Sequence, residues 1–114
     1  MANLMTDIKI TRDNNMSVIS VECKGHTDYA VQGEDIVCAG LSTLVQSALL
    51  GLLQVAAINV DYQRQADDGY LRFTLPDNLT HQQRHDADII LNTMLCALND
   101  FYTEYSDYIY LEVI

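Results

Sequence analysis

The stretch EDIVCAGLSTLVQSALLGLLQVAA, residues 34–57, decides the fold. It is far longer than a strand and carries no charge after Asp35, so it is expected to be a helix opened by Glu34-Asp35 and running to about Ala57. Asp35 is the expected N-cap, because its carboxylate can accept from the first free N–H groups and suits the positive end of the helix dipole. The uncharged run continues over residues 36–60, long enough to span a bilayer. Yet it holds Ser42, Thr43, Gln46, Ser47, Gln54 and Asn59, and strand-like segments bracket it closely. The expectation is therefore a core helix that a partner subunit could cover, with no membrane contact.

Working outward, residues 4–11 (LMTDIKIT) and 16–23 (MSVISVEC) alternate as strands on either side of the turn residues Arg12-Asp13-Asn14-Asn15. They predict an antiparallel hairpin. Residues 24–33 then form a loop with two glycines. Past the helix, residues 58–63 (INVDYQ) and 70–75 read as strands around the turn Ala66-Asp67-Asp68-Gly69. Pro76-Asp77-Asn78 breaks the second of these, and Thr80 with Gln83 has capping-box spacing for a second long helix. On that helix Ile90, Met94, Ala97, Phe101 and Tyr105 make one apolar stripe. Residues 108–113 (YIYLEV) supply a last strand. The order β-β-α-β-β-α-β implies an α+β domain, a mainly antiparallel sheet with two long helices packed on it. Strand order does not follow from this pattern.

The chain has 114 residues, which suits a single domain over 1–114 whose stability oligomerisation would help. Asp and Glu number 16 against 6 Lys and Arg, a formal net charge of −10. That balance disfavours nucleic acid and anionic membranes, and attracts a basic partner or simply keeps the protein soluble. Cys23, Cys38 and Cys96 show no C-x-x-C spacing, so neither a disulfide scaffold nor structural zinc is expected. Cys23 and Cys96 are expected to be inert core thiols. The N-terminal segment MANLMTDIKI does not resemble a secretory signal, and a cytoplasmic location is expected.

The chemistry concentrates in residues 25–42, GHTDYAVQGEDIVCAGLS. With Asp35 as N-cap, Cys38 would sit in the first helical turn, where free N–H groups favour a thiolate. His26, on the loop before the helix, could fold back as base and later protonate a leaving amine. The same N–H groups could hold an oxyanion. Taken alone, Cys38 could equally be a small buried hydrophobe and His26 an exposed loop residue.

The same run resembles the motif of the bacterial ribosomal-processing cysteine proteases, the Prp family. It matches in Gly25, His26, Tyr29, Gly33, residues 35–39 (DIVCA) and Ser42, and departs at Thr27, where a smaller residue is expected. Length and element order fit too, so the resemblance covers essentially the whole chain. It implies a His–Cys dyad, with His26 the base and Cys38 the nucleophile. It implies an endopeptidase that removes the N-terminal extension of the large-subunit ribosomal protein twenty-seven precursor. It further implies a homodimer with no cofactor and no metal.

Supporting roles are expected for Gly25 and Gly33 in letting the loop turn and a peptide approach, and for Asp35 as cap or orienter of His26. Ser42, one turn after Cys38, would either hydrogen-bond near the site or be a small packed residue. Residues 27–32 are a candidate lid. His81 and His85 have zinc-binding spacing, but Gln82 stands where a metalloprotease needs Glu, and an exposed helix start is the expectation. Tyr102, Tyr105, Tyr108 and Tyr110 are expected in the core or a dimer contact. Two rivals remain: a non-catalytic ribosome-associated binding protein, and the same chemistry on a phage or other protein substrate.

Overall fold

A computed structural model describes residues 6–25, 32–65 and 69–114, with backbone alone for 32–35. The elements follow the expected order: β1 (Thr6–Arg12), β2 (Val18–Lys24), α1 (Gln32–Leu50), β3 (Asp61–Gln65), β4 (Tyr70–Thr74), α2 (His81–Tyr105) and β5 (Ile109–Val113). One π-helical turn, Gly51–Val55, extends α1, and a 3-10 turn, Ser106–Tyr108, joins α2 to β5. The five strands form one sheet in the order β3-β4-β2-β1-β5. The hairpins β1–β2 and β3–β4 are antiparallel, as is β2–β4. Among the described residues only β5 runs parallel to its neighbour, β1. The domain is α+β, and its sheet is mixed with mainly antiparallel pairing.

Alternation along the strands sorts the sheet into two faces. Ile8, Ile10, Val21, Cys23, Leu71 and Phe73 point at the helices and are buried. The opposite face is polar. There the Tyr70 hydroxyl donates to Glu22 at 2.8 Å, and Arg72 lies 3.9 Å from Asp61. α1 lays Val37, Leu41, Val45, Ala48 and Leu49 on the sheet, followed by Leu52 of the π turn. Fully burying each of the Val and Leu side chains contributes about 1.5–3 kcal/mol. The long apolar run of α1 is thus a core helix.

The helix ends and turns obey local chemistry. Thr80 and Gln83 form the expected capping box at the start of α2. The end of the α1 extension is held by Ala56 N–H to Gly51 O and Ile58 N–H to Leu52 O, both 2.9 Å, around Ala57 at φ 54°. In the first hairpin Asp13 Oδ1 accepts from the backbone of Asn15 and Ser17, and Met16 takes a positive φ of 68°. The buried stripe of α2 is Ala87, Leu91, Met94 and Leu98, one residue round from the expected one, with Ile90 and Phe101 partly buried at its margin. Cys96, expected in the core, is exposed. Of the four tyrosines, Tyr108 packs on the core while Tyr102, Tyr105 and Tyr110 are exposed.

Candidate active site

One end of the sheet gathers the motif. β2 finishes there at Lys24-Gly25, and β4 begins there after Gly69, whose carbonyl accepts from Gly25 N–H at 2.9 Å. The two glycines are nearly in contact. A Cβ at Gly69 would lie 3.1 Å from Gly25 O, and its φ of +62° already favours glycine. Gly25 in turn faces Cys38. A Cβ on Gly25 would collide with Cys38 Sγ and lie 3.9 Å from Cys38 Cβ. The Cys38 thiol therefore rests directly on the backbone of Gly25, and glycine is required there by close approach. This gives Gly25 a sharper role than the turn flexibility expected from sequence.

Cys38 is buried, 4% exposed. α1 starts at Gln32, so Asp35 is inside the helix and not its N-cap, and Cys38 stands in the second turn. Gly33 likewise lies inside the first turn. The first N–H groups of the helix, those of residues 32–34, have no partner within the helix and lie about one turn ahead of Cys38. The Cys38 N–H is itself within the helix ladder. His26 lies outside the described residues, as do residues 27–31 of the candidate lid and Tyr29 of the motif.

Cys23 lies two residues before Gly25 on the helix-facing side of β2. Burial pushes its thiol up to about 12, and the neighbouring Cys38 adds to the rise. The Ser42 hydroxyl opposes it by hydrogen bonding to Cys23, and Asp7 raises it further. Ser42, one turn after Cys38, is partly buried beside Cys23. Cys23 is a buried core thiol, as expected, and stands two residues before Gly25 on the same face of the strand.

On the far side of α1, Gly40 receives the ring of Phe101. A Cβ there would lie 2.7 Å from Phe101 Cζ. The Phe101 ring packs against Tyr105, with centroids 5.0 Å apart and planes tilted by 42°. The C-terminal end of α2 is thereby held against the start of α1, next to the turn that carries Cys38. His81 and His85 sit on exposed turns at the start of α2. Among the described residues no group of three or more His, Cys, Asp or Glu could hold a metal ion.

Residues 5–110 match the family model described as cysteine protease Prp. The ribosomal processing cysteine protease Prp of Bacillus subtilis is 28% identical over 103 residues, covering 90% of this chain and 92% of that protein. A crystal structure of the essential ribosomal processing protease Prp from S. aureus with a substrate peptide superposes with a TM-score of 0.85 at 26% identity. It covers 96% of this chain and 100% of the other. The same S. aureus protease with a covalently linked product peptide gives a TM-score of 0.81 at 27% identity, with the same coverage.

Proposed function

We propose, from the premise that this chain belongs to the cysteine protease Prp family and is a cysteine peptidase, that Cys38 and His26 are its catalytic dyad. We further propose that its substrate is the N-terminally extended precursor of large-subunit ribosomal protein twenty-seven. The observation that carries the reading is the packing of the Cys38 thiol on Gly25, the residue immediately before His26. Adjacent Cα atoms are about 3.8 Å apart, so His26 is tethered one peptide unit from the atom that Cys38 touches. From that backbone position an imidazole is long enough to reach Sγ, as the proposed dyad requires.

In the proposed reaction Sγ attacks the scissile carbonyl carbon while His26 takes the thiol proton. The oxyanion accepts from free N–H groups of the α1 start, those of residues 32–34. Collapse breaks the C–N bond, and His26 returns the proton to the leaving amine. Water, deprotonated by His26, then hydrolyses the thioester and restores the thiol. No step calls for a metal or cofactor. The net charge of −10 favours encounter with a basic ribosomal protein, so cleavage should slow as salt rises. A cytoplasmic location, without direct nucleic-acid or membrane contact, belongs to the same proposal.

A homodimer is part of it too. α1 and α2 leave between them a groove of 330 Å³ lined by Leu44, Ala48, Gly51, Ile90, Met94 and Ala97. Ile89 beside it is 56% exposed, and Val55 at the end of the α1 extension is 82% exposed. An apolar patch of this kind suits a second copy of the chain.

The test is to mix wild type and Cys38→Ala with the extended ribosomal protein precursor and measure masses. Wild type alone is expected to yield a shortened product. Cleavage by Cys38→Ala would remove the nucleophile assignment, and cleavage by neither would move the function to another substrate or to a binding role.

A further inference from the structure

The helix-facing side of β3 loses its cover towards Cys38. Val60, just before the strand, is 5% exposed. Tyr62, two residues on and on the same face, is 53% exposed, and Arg64 after it is exposed as well. Their partners show that this is the inner face and not the polar one. Tyr62 pairs with Phe73 and Arg64 with Leu71, and both partners are buried under the helices. An aromatic ring and a guanidinium therefore stand uncovered on the helix-facing side of the sheet.

Their position relative to the thiol is fixed by the sheet. Arg64 pairs with Leu71, and Leu71 with Cys23, so Arg64 lies two strands from Cys23 in one cross-sheet row. Two strand spacings are about 10 Å. Cys38 rests on Gly25, the next inward position of β2 after Cys23. An extended peptide advances about 3.3 Å per residue, so three to five residues carry it from the thiol to Arg64 and on to Tyr62.

We propose, resting on the peptidase reading, that Tyr62 and Arg64 form a specificity shelf for the substrate peptide, three to five residues from the scissile bond. Tyr62 offers a flat apolar surface to an aromatic or aliphatic side chain. Arg64 offers donors to backbone carbonyls of the extended chain. Being remote from the reacting bond, the shelf adds binding energy and carries no proton or charge of the reaction.

The shelf is tested by binding, with cleavage switched off. A fluorescent peptide spanning the cleavage site of the ribosomal precursor is titrated against Cys38→Ala, and against Cys38→Ala carrying Tyr62→Ala, Arg64→Ala or Tyr62→Phe. A second peptide is cut back on both sides to two residues from the scissile bond. Tyr62→Ala and Arg64→Ala are each expected to weaken the long peptide about tenfold and leave the short one unchanged, while Tyr62→Phe restores the long one. Equal affinities of Tyr62→Ala and its parent for the long peptide overturn the shelf, as does no binding of that peptide at all. Loss of self-association in Tyr62→Ala with peptide affinity unchanged also overturns it, and assigns the face to a second copy. The mass assay on wild type reads the peptidase separately, so failure of one reading is not mistaken for failure of the other.

Discussion

The two long helices begin in opposite ways. α2 opens on a capping box made wholly of its own neighbours: Thr80 Oγ1 accepts from Gln83 N–H at 3.1 Å, and Gln83 Oε1 accepts from Thr80 N–H at 3.0 Å. The start of α1 is organised by a remote strand end, with Cys38 seated on Gly25 and Gly25 held to Gly69. Local chemistry therefore specifies the scaffold helix, whereas the helix that carries the chemistry is positioned by tertiary contact. Damage to the first should cost stability, and damage to the second should cost activity.

Gly25→Ala gives the sharpest break. The added methyl must displace the thiol or the second turn of α1. Displacements of about 1 Å at a reacting group can cost roughly a hundredfold in rate. We expect kcat/KM on the precursor to fall by about that factor or more, while circular dichroism still reports the native fold. An active Gly25→Ala would mean that the thiol works from another position.

Cys23 sharpens the comparison through pH. Burial raises its folded pKa to about 12 from an ordinary 9.0, so the native state holds a proton that the unfolded state releases between those values. The unfolded state then binds fewer protons, and stability falls as pH rises above 9. Below that pH both states are protonated and the thiol contributes no slope. The loss attributable to Cys23 is at most about 1.4 kcal/mol per pH unit. Urea midpoints of wild type and Cys23→Ala at pH 8 and 10.5 measure it. The variant is expected to lose less stability over that interval, and parallel losses would deny the burial of this thiol.

The smallest effect belongs to α2. Thr80→Ala removes the side-chain acceptor of the capping box and should cost about 1 kcal/mol in urea unfolding. Cleavage at a temperature where the variant is fully folded should be unchanged. A change in kcat there would couple the far end of α2 to the site, against the division drawn above.

Much of this was legible in the sequence where the determinants are local. The seven elements and their order, the capping box at Thr80 and the core role of the apolar helix all follow from periodicity and turn chemistry. The start of α1 did not follow. Gly33 costs a helix about 1 kcal/mol relative to alanine. Asp35 is a good N-cap, so local preference opens the helix at Ile36, four residues later than packing does. The stripe on α2 was misplaced by one residue because apolar side chains lie on adjacent rows. Met94 belongs to both versions, and Cys96, about 200° round the helix from it, faces solvent. The contact between Gly25 and Cys38 joins residues that no spacing rule links, and only the motif resemblance pointed to them. The exposed inner face of β3 was invisible for the same reason, since exposure there depends on where a helix ends its cover.

The parallel pairing of β1 with β5 has a kinetic consequence. The first strand to be synthesised borders the fifth, so one edge of β1 waits unpaired until residues 109–113 have left the ribosome. Contacts of such long sequence separation are closed late and slowly. Through that interval β1 exposes a free edge able to pair with another chain. Lys9, on the solvent side of that strand, places a charge on it. A nascent chain stalled before β5 is therefore expected to aggregate, although both hairpins and both helices are already made.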